Sequence, residues 1–588
     1  MSLRHHLLFF LLPALCVSLP AQETYRVHSH NDYLREVPFW QAYSAGAASI
    51  EVDLVLRNDT LYTAHGHDDI TPGKTFAGEY LETLDGLATK GTLRPVQLLV
   101  DLKTDAYSTL DKVVAEIAAY PTLTDNDAVT FAISGNRPRP DDYDNYPPFI
   151  RFDHQRLDDL DRVNLDRVAL ISQSFTPYSV WNGYGRMTAA DQARVDSVLQ
   201  RAAATGKPFR FWATPDTKTA WARLAKLGVG YINTDKPATA RAFLDRLDTN
   251  TYTADSATTV YAPAYRIDPA GRPRNVILLI GDGNGLAQLS AARLANGGQL
   301  TITNLRDVGL MNTASADDPV TDSAAAGTAM ATGRKTNNRA IGVDTAGRPL
   351  PTLIEILAER DFRTGIVTTD AIYGATPSAF YAHTPERDDT DGIVDDLVGS
   401  GLSFFVAGGK SRDQMIDARF TTTQLEEFRD LTTPRAVYHG AEKMPTILAG
   451  RGDFLPRGVG HVLSVLEDDE RPFFLLVEGA QIDNGGHAND ITTVVTEMLD
   501  FDRAVATALR FADRDGETLV IVTADHETGG LGVAGGDHDG TVRAEFLSVD
   551  HSGILVPVFA YGPGAGAFRG VFENTEIHAK ILAALSRP

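Results

Sequence analysis

Three apolar segments in the second half of the chain each run directly into a carboxylate. The first, "RNVILLIGDGNG", has five apolar residues, 276 to 280, and then Asp282 in a Gly-rich turn. "PFFLLVEGAQIDNGGH" leads in the same way to Glu478, and "TLVIVTADHETGG" leads to Asp525 and His526. Short apolar runs bounded by turn residues predict buried strands. Because open α/β sheets bind ligands at the carboxyl ends of their strands, we expect these side chains to meet at one edge.

The residue types at this edge favour a metal site. Asp483 and His487 are four residues apart, so on a helix they share one face. A lone carboxylate after a strand is commonly a cap or turn residue, but three strand ends that combine His with carboxylates favour ligands. Mixed His and Asp donors suit Zn²⁺, whereas Glu and hydroxyl oxygens suit Mg²⁺.

The segment "VTDSAAAGTAMATG", residues 320–333, allows two interpretations of Asp322 and Ser323. Asp and Ser are favoured helix N-caps, and an Ala-rich helix commonly ends at a Gly such as Gly333. Alternatively, Ser323 is a nucleophile whose proton a base or a metal removes. The two interpretations are compatible, because a helix that starts at Ser323 aims free N–H groups at a bound phosphate.

A segment rich in Thr, Ser, Pro and Gly divides the chain. Residues 247–273 lack apolar periodicity and are predicted to form a linker. On both sides, strand-like and helix-like patterns alternate, which is typical of parallel α/β domains. The sequence therefore predicts an N-terminal domain at 22–246 and a C-terminal domain at 274–588.

The first 21 residues resemble a secretory signal peptide. "MSLRHHLLFFLLPALCVSLPAQ" has an apolar run followed by small residues, with cleavage expected after Ala21. Lipidation of Cys16 is an alternative, although Leu15 is bulky where such signals have a small residue. The mature chain then has no cysteine, which favours a bacterial periplasm or exterior. The formal net charge of −23 argues against nucleic acid as a partner, and no second apolar run reaches membrane length.

The first half has its own set of polar residues on strand-like runs. "SIEVDLVL" places Glu51 and Asp53 on one face, and "LLVDLK" does the same for Asp101 and Lys103. Further strand-like runs follow at "AVTFAIS", "VALISQS", "PFRFWAT" and "VGYINTDKP". With alternating helices over about 220 residues, this order predicts a β/α barrel of the TIM type, whose site gathers at the strand ends.

The C-terminal domain, over about residues 272–588, resembles the alkaline phosphatases, and "VTDSAAAGT" matches their nucleophile signature. The resemblance implies a doubly wound α/β fold, two Zn²⁺ ions, one Mg²⁺ ion and hydrolysis of phosphomonoesters through a phosphoserine at Ser323. Arg387 in "YAHTPERDD" resembles the arginine that grips the phosphate, beside Asp322. The implied metal ligands are Asp282, Ser323, Asp525 and His526 for one zinc ion, Asp483, His487 and His551 for the other, and Asp282, Thr376 and Glu478 for magnesium.

One residue departs from the family pattern. Gly374 in "IYGATPSAF" stands where family members carry Asp or His near the magnesium ion. Because Gly374 supplies no side chain, occupancy of the third metal position is left open.

The N-terminal domain, over about residues 25–245, resembles the glycerophosphodiester phosphodiesterases and phosphatidylinositol-specific phospholipases C. The resemblance implies acid–base catalysis by His28 and His65, with Lys103 neutralising the developing charge. It also implies a Ca²⁺ or Mg²⁺ ion held by Glu51, Asp53 and Asp101. Ser29 replaces the family's frequent Arg after the first His, and His30 and His67 are near enough to exchange roles with their neighbours.

The sequence as a whole predicts an exported hydrolase with two α/β domains that cleaves phosphate esters, including glycerophosphodiesters or phospholipid head groups. Two alternatives stay open. The barrel is a non-catalytic module that binds head groups, or the C-terminal site belongs to a phosphodiesterase of the same superfamily. Arg387 argues against the second alternative, because a bidentate guanidinium suits a doubly charged monoester.

Overall fold

The computed structural model describes residues 25–440 and 442–586, which form two units divided between Leu247 and Asp248. The predicted signal peptide, residues 1–21, with Cys16 and the cleavage site, lies outside the described residues. Within them, no helix combines the length and apolar character needed to cross a bilayer.

The first unit is a barrel of eight parallel strands, as predicted, with β3 added to β2 as an antiparallel hairpin. The strand order is β8-β7-β6-β5-β4-β2-β1-β9, and a parallel bridge between Arg210 and Tyr231 joins the first strand of this order to the last. The strands are β1 (Val27–Ser29), β2 (Ser49–Arg57), β3 (Thr60–Thr63), β4 (Val96–Leu102), β5 (Val129–Gly135), β6 (Ile150–His154), β7 (Val168–Ser174), β8 (Phe209–Trp212) and β9 (Ile232–Thr234).

Helices cover the outside of the barrel, and an apolar core fills the space between them and the strands. A separate small cluster of Leu99, Ala132, Leu170 and Tyr231 comes from the opposite faces of the strands. Since side chains alternate along a strand, Asp101 lies on the same face as Leu99. The helices are α1 (Trp40–Ser44), α2 (Glu82–Thr89), α3 (Ala106–Ala118), α4 (Pro121–Thr124), α5 (Ala189–Ala203), α6 (Lys218–Lys226) and α7 (Pro237–Leu244).

The second unit is built on a ten-stranded sheet in the order β15-β16-β14-β13-β17-β11-β18-β23-β12-β24, in which only β23 runs antiparallel to its neighbours. The described part of this unit also has two smaller sheets, with the strand orders β10-β21-β20 and β19-β22. The strands are β10 (Thr251–Thr253), β11 (Asn275–Gly281), β12 (Asp307–Asn312), β13 (Arg363–Ala371), β14 (Phe404–Gly408), β15 (Thr421–Thr423), β16 (Arg435–Tyr438), β17 (Phe473–Gly479), β18 (Thr518–Thr523), β19 (Glu527–Thr528), β20 (Leu531–Gly536), β21 (Thr541–Phe546), β22 (His551–Ser552), β23 (Val556–Tyr561) and β24 (Gly570–Glu573).

Helices pack on both faces of this sheet, so β11 contributes alternate residues to two separate apolar cores. The doubly wound α/β prediction is therefore confirmed. The helices are α8 (Leu286–Ala295), α9 (Ser323–Thr332), α10 (Leu353–Glu359), α11 (Ala375–Ser378), α12 (Thr390–Gly399), α13 (Asp413–Ile416), α14 (Phe454–Glu467), α15 (Gln481–His487), α16 (Ile491–Asp515) and α17 (Thr575–Ser586).

Helix α9 begins and ends as its sequence predicts. The Asp322 side chain caps it by accepting a hydrogen bond from the Ala325 N–H, and Gly333 ends it with a φ of 73°. All ten residues of α9 are buried. A Cβ at Gly327 would lie 2.9 Å from the Cβ of Ala379, so a small residue here lets α9 approach the end of α11.

The segment predicted as a linker belongs to the second unit in the structure. Strand β10 pairs with β21, and the side chains of Tyr252, Tyr261 and Tyr265 pack against the core of this unit. Asp513 on α16 accepts hydrogen bonds from the Ala264 N–H at 3.0 Å and from the Tyr261 hydroxyl. Residues 248–273 are thus held to this unit by β10 and by three tyrosines, although most of the segment is exposed.

Candidate functional site

The carboxyl edge of the large sheet brings the sequence-predicted side chains of the second unit together. Strands β11, β17 and β18 are neighbours, so Asp282, Glu478 and Asp525 emerge side by side. Glu478 pairs with Ile280 on one side and with Thr368 on the other. The strand-end pattern in the sequence is therefore also a spatial arrangement.

The first cluster consists of Asp282, Asp525 and His526, whose ligand atoms all lie within 4.8 Å of one another. His526 is fully buried, with its Nε2 atom 3.1 Å from Asp525 Oδ2 and 3.6 Å from Asp282 Oδ1. The Ser323 hydroxyl oxygen lies 3.2 Å from the same Nε2 atom. The structure thus places the first residue of α9 against this cluster.

The second cluster consists of Asp483 and His487 on α15 and His551 on β22. His487 Nε2 lies 3.2 Å from Asp483 Oδ2, and His551 Nε2 lies 3.5 Å from Asp483 Oδ1. The helical spacing of four residues therefore does bring Asp483 and His487 together, as predicted from the sequence.

The three histidines of these clusters share one orientation, because the Nδ1 atom of each ring makes a hydrogen bond outside the clusters. His487 Nδ1 donates to the Val549 carbonyl at 2.6 Å, and His551 Nδ1 donates to the Thr321 carbonyl at 2.8 Å. The Thr528 hydroxyl donates to Asp483, so its oxygen accepts from His526 Nδ1 at 3.2 Å. Each Nε2 atom consequently faces the clusters, which is the arrangement of histidines that bind metal ions.

The charge at this edge also fits cations. Burial and the nearby charges of Asp525 and Asp483 raise the pKa of Asp282 well above its ordinary value. Asp282 Oδ1 and Asp525 Oδ2 are buried and have no hydrogen-bond partner. Buried carboxylates that are crowded in this way are stabilised by paired charges or metal ions. The donor set of imidazole nitrogens and carboxylate oxygens fits Zn²⁺.

Glu478 lies farther along the edge, among oxygen donors. Burial and the charge of Asp370 raise its pKa to about 8, although Thr368 donates a hydrogen bond to it. Thr376 is close enough to lower this pKa, yet its buried hydroxyl oxygen has no hydrogen bond of full geometry. A carboxylate and a free hydroxyl oxygen are donors that suit Mg²⁺.

Arg387 lies beside the start of α9. Its Nη1 atom donates to Asp322 Oδ2 at 2.9 Å, and its side chain is 29% exposed. The other oxygen of Asp322 caps the helix through Ala325. Asp322 therefore fixes both the start of α9 and the position of Arg387, which leaves guanidinium N–H groups for an anionic ligand next to Ser323.

In the barrel, Glu51, Asp53 and Asp101 form a third cluster. Lys103 Nζ bridges two of them, at 3.1 Å from Asp53 Oδ2 and 3.2 Å from Asp101 Oδ2. The Oδ1 atoms of Asp53 and Asp101 are buried and have no partner, and burial raises the pKa of Asp101 to about 6. His65, which is exposed, lies 2.8 Å from Asp53 Oδ2 through Nδ1. The carboxylates fit a hard cation such as Ca²⁺ or Mg²⁺.

The structure distinguishes the two histidines of "VHSHNDY". His28 has no exposed surface, and it hydrogen-bonds with Ser49 at 2.8 Å and with Glu51 at 2.9 Å. Burial and the neighbouring Arg210 lower the pKa of His28 to about 3. His30 is about one-third exposed, with Nδ1 2.8 Å from Asp235 and Nε2 3.8 Å from Glu51. Only His30 of this pair has a ring accessible to a ligand.

Sequence analysis missed two charged residues at these sites. Arg210 on β8 donates to Glu51 at 2.8 Å and is almost completely buried. Its signal was a lone charge inside the apolar run "PFRFWAT". Asp370 lies near the end of β13, and its signal was the same strand-end position that identified Asp282.

Comparison with known proteins agrees with both halves of this description. The sequence model of the alkaline phosphatase family matches residues 273–403 and 455–545. An AIM6-like phosphodiesterase domain model matches residues 21–92, and a glycerophosphoryl diester phosphodiesterase family model matches residues 208–238.

Similar whole proteins match the second half. Alkaline phosphatase 4 of Bacillus subtilis is 31% identical over 52% of this chain and 87% of its own. Streptomycin-6-phosphate phosphatase of Streptomyces griseus is 33% identical over 53% of this chain and 90% of its own. A solved variant of the alkaline phosphatase from the Antarctic bacterium TAB5, with Glu in place of a His and Mg bound in the M3 site, is 38% identical. It covers 54% of this chain and 99% of its own, with a TM-score of 0.51. The chain therefore belongs to the alkaline phosphatase family, and it is a phosphatase that hydrolyses phosphomonoesters.

Proposed function

We propose that hydrolysis at the second unit passes through a phosphoserine at Ser323. The observation that supports this most directly is the convergence of the Ser323 hydroxyl and three histidine Nε2 atoms, those of His487, His526 and His551, on two carboxylate clusters. A serine hydroxyl attacks poorly at neutral pH unless its proton is removed or its charge is stabilised. In this proposal the Ser323 hydroxyl gives up its proton and its oxygen bonds to phosphorus, while the bond from phosphorus to the leaving oxygen breaks and the leaving alkoxide takes up a proton. Water then attacks the phosphoserine, so that the Ser323 O–P bond breaks, the serine oxygen regains a proton and inorganic phosphate is released.

The surrounding residues orient the substrate in this mechanism. Arg387 binds two phosphate oxygens through its fork of N–H donors, which favours a dianionic monoester. Asp322 holds Arg387 in place and caps α9, whose first N–H groups and positive dipole end face the phosphate. Buried surroundings strengthen each of these interactions, because water does not compete for them.

The proposed cations are two Zn²⁺ ions and one Mg²⁺ ion. Asp282, Ser323, Asp525 and His526 would hold one zinc ion, and Asp483, His487 and His551 the other. Asp282, Thr376 and Glu478 would contribute to the magnesium site. When bound, such ions stabilise the attacking and leaving oxygens of an in-line displacement. Magnesium bound to the TAB5 variant supports a third site in this family.

Metal removal is expected to abolish monoester hydrolysis, and Zn²⁺ is expected to restore it better than Ca²⁺, because three of the ligands are imidazoles. Asp483→Ala and His487→Ala are each expected to lower the zinc content of the purified protein from two ions to one. Mass-spectrometric metal analysis measures this directly, with the exposed His538→Ala as the matched control. An unchanged zinc content in both variants would contradict the assignment of this cluster.

For the barrel, we propose cleavage of phosphodiesters with a Ca²⁺ or Mg²⁺ ion at Glu51, Asp53 and Asp101. The accessible histidines His30 and His65 are the proposed acid and base, and the buried His28 is proposed to fix Glu51 and Arg210. Lys103, between two carboxylates, would neutralise charge that develops on the phosphate. The two family models that match this half support a diesterase more than a purely binding module.

The proposed substrates are glycerophosphodiesters or lipid head groups for the barrel, and their monoester products for the second unit. Residues 1–21 support export to a bacterial periplasm or exterior with cleavage after Ala21. The N-terminal sequence of protein recovered from outside the cytoplasm tests this, and Gln22 is the expected first residue.

A further inference from the structure

The side chain of Asp370 lies directly against Gly374. Its φ of −63° is open to any residue, so the backbone does not require glycine here. A Cβ at this position would lie 2.1 Å from Asp370 Oδ2 and 2.7 Å from Asp370 Cγ. The carboxylate of Asp370 therefore fills the space in which a side chain of residue 374 would begin.

Hydrogen bonds orient this carboxylate. Asp370 Oδ1 accepts from the Ala371 N–H at 2.8 Å, and the Asp370 N–H donates to the Thr368 hydroxyl at 2.8 Å. The same Thr368 hydroxyl donates to Glu478. Asp370 Oδ2 is thus left facing Gly374, at the start of the helix that carries Thr376.

The neighbours of Asp370 are those of a cation site. The Thr368 hydroxyl links Asp370 to Glu478, because it accepts from the Asp370 N–H and donates to the Glu478 carboxylate. Thr376 is 1% exposed, and its hydroxyl oxygen has no hydrogen-bond partner. Two carboxylates next to an unpaired buried hydroxyl provide hard oxygen donors, and the nearby cationic side chains of Lys443 and Arg387 offset only part of the charge that gathers there.

We propose that Asp370 supplies the third cation site with the carboxylate that residue 374 lacks, and that it holds Mg²⁺ together with Glu478 and Thr376. This inference rests on the proposed metal-dependent function of the second unit. In this proposal the carboxylate comes from Asp370 at the end of β13 and not from a residue at the start of α11. Residue 374 must then be glycine, because any Cβ there would overlap the Asp370 carboxylate.

Magnesium binding to the zinc-loaded protein tests the proposal without an activity assay. Wild-type protein is expected to bind two zinc ions and one magnesium ion in equilibrium dialysis followed by metal analysis. Asp370→Asn and Asp370→Ala are expected to keep both zinc ions and to bind Mg²⁺ about 10- to 100-fold more weakly. Glu359→Gln, at an exposed position on α10, is the control and is expected to bind Mg²⁺ as the wild type does.

A double variant that transfers the carboxylate from position 370 to position 374 gives the decisive test. Asp370→Ala removes the two atoms closest to a Cβ at position 374 and leaves the Ala371 carbonyl oxygen at 3.1 Å. The double variant Asp370→Ala, Gly374→Asp is therefore expected to recover Mg²⁺ binding. A merely structural role of Asp370 would not allow this recovery. Unchanged Mg²⁺ affinity in both single variants would overturn the role of Asp370 alone. Wild-type protein that binds two zinc ions but no Mg²⁺ would instead remove the third site from the proposed function.

Discussion

Ser323→Ala is expected to lower phosphomonoester turnover by at least about 1000-fold, because the variant loses the oxygen that accepts the phosphoryl group. The cost in stability is expected to be small. Ser323 is the first residue of α9, and the cap is supplied by Asp322, which the substitution leaves in place. The measurement is the turnover number on one simple monoester, together with the thermal unfolding midpoint of each variant.

Two further observations make this experiment specific. Brief acid quenching of the wild type with substrate is expected to leave a phosphate group on Ser323, which peptide mass spectrometry detects. Ser290→Ala, at an exposed position on α8, is the matched control and is expected to retain full activity. A Ser323→Ala variant with turnover within tenfold of the wild type would refute the nucleophile.

The second large effect is a separation of the two proposed activities. With glycerophosphocholine as substrate, His30→Ala or His65→Ala is expected to stop the release of free phosphate, since the diester is no longer cleaved. Both variants are expected to release phosphate normally from glycerol phosphate. Ser323→Ala is expected to do the reverse, so that the monoester accumulates and free phosphate does not appear.

His28→Ala separates a catalytic histidine from a supporting one. Because His28 is fully buried and hydrogen-bonds with Ser49 and Glu51, its loss leaves a cavity and removes two buried hydrogen bonds, which is expected to cost about 3 kcal/mol of stability. A lower unfolding midpoint of the barrel reports this cost, and His30→Ala is expected to leave that midpoint nearly unchanged.

If Ser323→Ala also stops the cleavage of the diester, the two activities are not separable. One site then performs all the chemistry, and the barrel is a binding module.

The carboxylate edge of the candidate site in the second unit was predictable because it follows one local rule, whereas the roles given to Ser323 and Arg387 came from the resemblance. Apolar strands that run into Asp282, Glu478 and Asp525 specify both a parallel sheet and the edge at which it binds ligands. The spacing of Asp483 and His487 adds a helix whose face is fixed by geometry. The barrel was predicted from strand-like and helix-like runs that alternate over about 220 residues, and the two-residue period of a strand placed Glu51 with Asp53 on one face.

The sequence was less informative where contacts join distant segments. The burial of His28 depends on Arg210, which lies 182 residues away, and no local pattern reports that pairing. The positions of Asp370 and Gly374 after a strand are visible in the sequence. Only the structure shows that the Asp370 carboxylate occupies the place where a side chain of residue 374 would begin. Polar composition predicted a linker at 247–273 because the tyrosines that pack against the second unit are few and irregularly spaced.

The burial of α9 restricts how relatives of this protein can diverge. None of its ten residues is exposed, so a larger side chain anywhere along the helix would displace packed neighbours as well as Ser323, the proposed nucleophile. Selection for a new phosphate ester has little freedom within this helix, and it has more at loop positions that hold none of the candidate metal ligands. We therefore expect related proteins to differ in the leaving groups that they accept through changes in their loops. The serine at the start of the buried helix α9 is expected to stay the same.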